Sequence, residues 1–206
     1  MAKQKTGKKK VNIEFIAMVG VFAAISAALG FWEIALPIFP DFLKIDLSLL
    51  PALIGTFIMG PVAGLAIELI KNLVHMTATT SSFIGEFVNI LVDAALVIPA
   101  GLIYRKLKSY RGVVLGAAAG TVSMAVVGAL VNYFIALPLY AAVLGFSIDG
   151  VIAMCRVVVP AVKTKFDVIL FSIIPFNLLK GAVVSVVTLL AYIPLEPVIK
   201  KIIKSR

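Results

Sequence analysis

The sequence predicts an all-α integral membrane protein of six transmembrane helices with both termini in the cytoplasm. Three observations predict it. Of 206 residues, 62% are hydrophobic and only 14% charged, with a mean hydropathy of +1.12. Soluble domains run nearer ~45–50% apolar and ~25% charged. The apolar residues fall into six runs, near 13–31, 48–60, 61–77, 84–104, 112–140 and 167–192, several of which reach the ~20 residues that a bilayer crossing needs. Charge then gathers between the runs. Lys3, Lys5, Lys8, Lys9 and Lys10 precede the first. Arg105, Lys106, Lys108 and Arg111 divide the fourth from the fifth. Lys200, Lys201, Lys204 and Arg206 follow the sixth. Six crossings place all three clusters on one side, as the positive-inside rule requires, whereas five would split them.

The chain reads as one transmembrane domain over 1–206, with a basic cytoplasmic N-terminus at 1–12 and a basic cytoplasmic tail at 193–206. The formal net charge of +9 would suggest nucleic acid in a soluble protein. Here the charges sit at segment ends and set topology instead, so no nucleic-acid partner is expected. A single Cys155 excludes an internal disulfide, and one histidine argues against a structural zinc site.

In the first run, MAKQKTGKKK has the basic start of a signal peptide. The apolar stretch from Ile13 to Phe31 is nevertheless long enough to span, and it reads as a retained first helix. It carries small residues at helical spacing: Gly20, Ala24 and Ala28, and beside them Ala23 and Ala27. Such stripes let helices approach closely in a membrane. The second run is short. Gly60-Pro61 either separates it from the third or kinks one long helix over 48–75.

Polar residues then interrupt the apolar runs. ELIKNLVH puts Glu68, Lys71, Asn72 and His75 on one helical face, where Glu68 is expected to pair with Lys71. GEFVN holds Gly85, Glu86 and Asn89, with Asp93 a turn beyond. NYFIALPLY holds Asn132, Tyr133 and Tyr140. IIPFNLLKG holds Asn177 and Lys180 three apart, on a common face. A lysine at the bilayer centre costs ~2.5 kcal/mol or more, so an intramembrane ionisable group is a functional candidate by default. An ion pair with Glu86 is the structural alternative for Lys180.

The expected outer loops are 31–46, 75–83 and 141–166, all longer than the cytoplasmic turns. The polar groups lean toward them, which predicts a shared site open to the outside. Asparagine amides match a ring that bears both C=O and N–H, and lysine donates to carbonyl or hydroxyl oxygens. Phe31, Trp32, Phe39, Phe42 and Phe83 can cover a flat apolar face. The implied ligand is planar, partly polar and small. No nucleophile–base pair, HExxH or phosphate-binding glycine loop is present, so an enzyme is not expected. A membrane-embedded enzyme of lipid metabolism would need clustered acids facing the cytoplasm, and a channel would need a continuous polar path.

FLKIDLSLLPALIGTFIMGPVAGLAIELIKNLVH (42–75), NYFIALPLY (132–140) and IIPFNLLKG (173–181) together resemble the riboflavin-specific substrate-binding subunits of energy-coupling factor (ECF) vitamin transporters. The resemblance implies a six-helix subunit of a bacterial cytoplasmic membrane that captures riboflavin from outside. It implies partners too: a transmembrane coupling protein and two ATP-binding subunits. Asn132, Asn177 and Lys180 match the family's ligand-contacting positions. Phe42, Leu43 and Lys44 match part of its lid, and Gly85, Glu86, Asn89 and Tyr140 complete the expected site. An alanine-spaced face of the first helix docks the coupling protein, assigned here to Ala23 and Ala27. Riboflavin or FMN enters as transported ligand, not as cofactor. Lys44, Arg156, Lys163 and Lys165 on the outer side would suit the phosphate ester, and another vitamin is the further alternative.

Overall fold

The computed structural model describes residues 13–204, with side chains through Tyr192. The expected basic segment 1–12 lies outside the described residues, as do most side chains of the expected tail 193–206. Helices α1 (Ile13–Gly30), α2 (Leu49–Met59), α3 (Pro61–His75), α4 (Ile84–Leu107) and α5 (Tyr110–Val131) form the first part of a bundle. From Asn132 to Ala136 the fifth helix turns π-helical and continues as α6 (Leu137–Leu144). After α7 (Ile148–Val158), a short α8 (Lys165–Val168) passes through a second π-turn, Ile169–Ile173, into α9 (Ile174–Lys204). The expected 193–206 tail is thus helical through Lys204.

Polarity is inverted relative to a soluble protein. Ile13, Val21, Leu115, Val122, Leu130, Val186 and Leu190 face outward, while Ser26, Thr56, Glu68, Lys71, Asn72, Asp93 and Lys180 are buried. A bilayer would solvate the first set, while the second find hydrogen-bond or ion-pair partners within and between packed helices. Among the described residues, four helical stretches are long and apolar enough to cross a membrane: Ile13–Gly30, Ile84–Leu107, Tyr110–Leu144 and Lys165–Tyr192.

The expectation of six crossings is reduced at α2 and α3. With 11 residues, α2 rises only ~16 Å, about half the hydrocarbon thickness. Gly60 adopts φ +102°, open to glycine, and Pro61 starts α3 without needing an N–H partner. The chain reverses there. A Cβ on Gly64 would strike Thr56, and Gly55 lies against Ile67. The two helices therefore form a hairpin, which excludes one long kinked helix over 48–75.

The α4–α5 turn carries the Arg105–Arg111 basic cluster. Ser109 caps α5 by accepting from the Gly112 N–H at 3.3 Å. Beyond the turn the two backbones nearly touch. A Cβ on Gly116 would lie 2.7 Å from the Ala100 carbonyl oxygen, and one on Gly120 would lie 2.5 Å from that of Leu96.

At the other end the three long loops converge. Leu43 of the first packs on an apolar cluster of Leu137, Ile152, Cys155, Val162, Val168, Ile169 and Ile173. The second approaches Tyr140, whose hydroxyl would lie 3.4 Å from a Cβ on Gly85. All three expected loops carry regular structure, the second only a 3-10 turn at Met76–Ala78. Ile34–Ala35 pairs antiparallel with Lys44–Ile45, the one departure from all-α among the described residues. The stretch 141–166 is largely helical, because Ser147 caps α7 by accepting from Gly150 N–H at 3.0 Å and α7 buries Ile152 and Cys155.

Candidate functional site

Both π-turns end two residues before a proline, at Ala136-Leu137-Pro138 and Ile173-Ile174-Pro175. A proline ring clashes with the carbonyl four residues back, and a wider turn relieves that clash. Pro99 sits in α4 without one, so proline permits the π-turn and local packing selects it. The bulges set the phase of the segments around them. Asn132 begins the first, and Asn177 lies two residues beyond Pro175.

The two asparagines meet at Gly128. The Asn132 amide donates to the Gly128 carbonyl at 2.8 Å. The Asn177 amide lies over Gly128, where a Cβ would come within 2.8 Å of its nitrogen. Asn177 also donates to the Ile173 carbonyl at 2.9 Å. Each amide thus commits N–H to its own helix, four residues back, and keeps a carbonyl oxygen and further N–H capacity for other partners. Gly128 was not singled out in the sequence. Its spacing from Gly112, Gly116 and Gly120, all multiples of four, is the signal that marks this face of α5.

Lys180 does not pair with Glu86. Its ammonium lies 3.5 Å from Asp46 Oδ2 and 3.6 Å from Asp93 Oδ1. Lys71 lies 2.9 Å from Asp93 Oδ2 and pairs tightly with Glu68. Three carboxylates and two ammoniums therefore alternate along one buried chain: Asp46, Lys180, Asp93, Lys71, Glu68. The two lysines differ. Lys71 is held at hydrogen-bond distance, whereas both Lys180 distances exceed the usual ~2.7–3.2 Å. Lys180 is charge-compensated while its N–H donors stay uncommitted to short bonds. A ligand oxygen can take them without stripping the ammonium of its counter-charges.

Asp46 belongs to the first long loop. Its Oδ1 accepts from Ser48 N–H at 2.7 Å at the start of α2. Burial pushes its carboxyl up, but the Lys180 and Lys71 ammoniums and the Ser48 hydrogen bonds outweigh burial and hold it at about 2, against an ordinary 3.8. Asp46, like Gly128, was missed in the sequence, because its partner lies on the last helix.

The expected lid residues are placed unequally. Phe42 is exposed, Leu43 is half-buried on the outer apolar cluster, and Lys44 pairs with Glu33 at 3.0 Å across the small hairpin. Phe39 meets Phe176 edge-on, one residue from Asn177. Phe31 stacks on His75 at 4.6 Å, and His75 bonds the Ala27 carbonyl at 3.0 Å. Trp32 and Phe83 are exposed.

Glu86 is engaged within its own loop. It accepts from Thr79 and Ser81 hydroxyls at 3.0 and 2.9 Å. Thr79 Oγ1 also accepts from the Ser81 and Phe83 N–H groups, bracing Ser82 and Phe83 at positive φ. Gly85 donates to Ser81 at 3.0 Å and sits near Tyr140. Asn89 is exposed. Glu86, Gly85 and Tyr140 thus gather around Ser81 as a second cluster at the loop end, and among the described residues none of its hydrogen bonds reaches the Lys180 chain.

The docking face assigned to Ala23 and Ala27 is corrected. Both are buried in the bundle, at 1% and 6% exposure. Gly20, Ala24 and Ala28, one residue round the helix, are exposed, and a Cβ on Gly20 would meet nothing within 4 Å. Between the π-turns opens an apolar groove of about 350 Å³, lined by Ala129, Leu130, Tyr133, Phe134, Phe166, Ile169 and Ile174. Lys165 lies 4.1 Å over the Tyr133 ring.

The family model for the ECF transporter, substrate-specific component, matches residues 14–192. The riboflavin transporter RibU of Staphylococcus aureus (strain TCH60) is 32% identical over 199 residues, covering 95% of this chain and 99% of the relative. The riboflavin transporter FmnP of Bacillus subtilis (strain 168) is 30% identical over 194 residues, covering 93% and 96%. A solved structure of the S component of a bacterial ECF transporter superposes with a TM-score of 0.72 at 30% identity, over 91% of this chain and 98% of that one.

Proposed function

The chain belongs to the substrate-specific components of ECF transporters, and we propose that it takes up riboflavin through the asparagine pair and Lys180. It is a multi-pass membrane transport component and not an enzyme. Riboflavin is the substrate named for its relatives over nearly their whole length.

One observation carries the site assignment. The loop end of the bundle juxtaposes two amides at Gly128 with a charge-compensated, sparsely bonded ammonium on the same face of α9. Amides offer paired donors and acceptors to a flavin ring edge, and the ammonium offers donors to its carbonyl or ribityl oxygens. The 42–44 stretch closes over this end, with Gly85, Glu86, Asn89 and Tyr140 at its border.

In this reading the loop end faces outward and all six bundle segments are inserted in the cytoplasmic membrane, α2 and α3 together as a thin hairpin. Both termini and the Arg105–Arg111 turn then face the cytoplasm, as the positive-inside rule requires. A transmembrane coupling protein and two ATP-binding subunits supply the energy, and the coupling protein docks on the Gly20, Ala24 and Ala28 stripe of α1. FMN is the second reading, favoured by Arg156, Lys163 and Lys165 at the same end.

The test is riboflavin titration of detergent-purified protein, read by flavin fluorescence. Saturable quenching at one flavin per chain is expected. Asn132→Ala, Asn177→Ala and Lys180→Ala should each weaken it about tenfold or more, since a hydrogen bond to a charged or buried group is worth ~1.5–3 kcal/mol. Wild-type affinity in all three variants removes the site assignment, and tighter binding of FMN than of riboflavin selects the second reading.

A further inference from the structure

Asp46 holds two structures together. Its Oδ1 fixes the start of α2 through Ser48 N–H at 2.7 Å. Its Oδ2 faces Lys180 on α9 at 3.5 Å. Directly before it, Lys44–Ile45 forms one strand of the small hairpin, and Lys44 pairs with Glu33 across that hairpin. Directly after it, the Ser48 carbonyl accepts from the buried Ser26 hydroxyl of α1. The first loop therefore reaches the bundle through a short rigid segment, and the one charge this segment places against α9 is Asp46. Lys180 in turn has a second carboxylate, Asp93, at 3.6 Å on α4. That carboxylate's other oxygen is taken by Lys71 at 2.9 Å. Lys180 thus stands between an anion on α4 and an anion at the junction of the 31–46 loop with α2.

We propose that Asp46 is a positioning residue for ligand capture, a latch that ties the seating of the 31–46 loop to the direction of the Lys180 ammonium. The inference rests on the function proposed above. Asp46 itself touches no ligand. With the loop seated, Asp46 and Asp93 hold the ammonium from two sides and aim its uncommitted N–H groups. With the loop lifted, Lys180 turns toward Asp93 alone. A ligand oxygen bonded to Lys180 selects the first arrangement and so holds the loop down. Release requires the Lys180–Asp46 contact to break, which places the effect in the dissociation rate.

Asp46→Asn tests this, because the amide oxygen preserves the Ser48 acceptor and only the charge is lost. Riboflavin dissociation constants and off-rates are measured for wild type, Asp46→Asn, Lys180→Gln and the double variant, with melting temperatures alongside. Backbone hydrogen exchange of residues 31–48 is followed with and without ligand. Asp46→Asn is expected to raise the dissociation constant about tenfold, mainly through the off-rate. On the Lys180→Gln background it should add nothing. Exchange in 31–48 should quicken in both single variants before any ligand is added. Unchanged affinity in Asp46→Asn overturns the proposal. So does the same tenfold loss on the Lys180→Gln background, which would mean an action that bypasses Lys180. If wild type ignores riboflavin, the proposed function fails by itself. The ligand-free exchange then decides the latch: quickened exchange supports it and wild-type protection overturns it. If Asp46→Asn does not fold, Lys180→Gln reads the same contact from its other side.

Discussion

At the scale of single residues, the lysines of the buried chain make separable predictions. Lys71 holds Glu68 and Asp93, both fully buried. Lys71→Met leaves Glu68 without a counter-charge and Asp93 with Lys180 alone, and breaking a buried pair from one side costs ~3–5 kcal/mol. Loss of the cooperative melt in detergent is the expected result, in contrast to Lys180→Ala, which leaves Asp93 its close Lys71 partner and should still melt cooperatively, at a lowered temperature, while losing ligand. Gly128→Ala puts a methyl 2.8 Å from the Asn177 amide nitrogen. Overpacking of ~1–3 kcal/mol is expected, read as riboflavin affinity lowered about tenfold or more. Asp46 sets a pH limit. Its carboxyl is depressed to about 2, so its contribution to stability is complete above the ordinary value near 4 and is lost as pH falls through 2. Asp46→Asn should lower the melting temperature clearly at pH 6 and much less at pH 2, where the carboxyl is about half protonated in the folded state. Asn132, Asn177 and Lys180 were legible in the sequence because a polar group in an apolar run is conspicuous. Their partners were not. Asp46 lies in a loop where an acid is ordinary, and Gly128 has no side chain to draw notice.

At the scale of elements, α4 and α5 bring their backbones close together at Gly116 and Gly120. Gly116→Leu and Gly120→Leu would each drive a branched side chain into a carbonyl 2.5–2.7 Å from the Cβ position. Failure to recover folded protein from membranes is expected for both, while Gly20→Leu, with open space around it, should be recovered normally. The first five apolar runs anticipated the helices within a few residues, because hydropathy reports apolar burial directly, whereas the sixth stopped at 192 and its helix runs on to Lys204 through the basic tail. Periodicity served less well where the chain leaves the helix. The sequence offered Gly60-Pro61 as a break or a kink, and only the contact of Gly64 with Thr56 settles the reversal. The loop over 141–166 concealed α7, whose burial of Ile152 and Cys155 depends on residues from α8 and the adjoining π-turn.

At the scale of the whole molecule, α1 has one face turned inward and one outward. Ala24→Trp on the exposed stripe should abolish riboflavin uptake by cells expressing the coupling subunits while binding to the purified protein is preserved. Ala23→Trp, aimed into the core, should instead reduce folded yield. Equal uptake in wild type and Ala24→Trp would remove the stripe from the docking interface. Spacing alone showed that α1 carried two stripes of small residues, and it gave no means of choosing between them, since that choice depends on which neighbours α1 packs against.

The two π-turns have a bearing on insertions and deletions. Each amounts to a single surplus residue threaded into an otherwise regular helix, and one residue corresponds to ~100° of rotation. Deleting one position within Asn132–Ala136 would hardly shorten the fifth helix. It would swing everything beyond, Tyr140 included, about a quarter-turn out of register with the half that carries Gly128. An added residue in an exposed stretch of an outer loop would leave that register untouched, whereas the spacing from Gly128 to Tyr140 admits no such change.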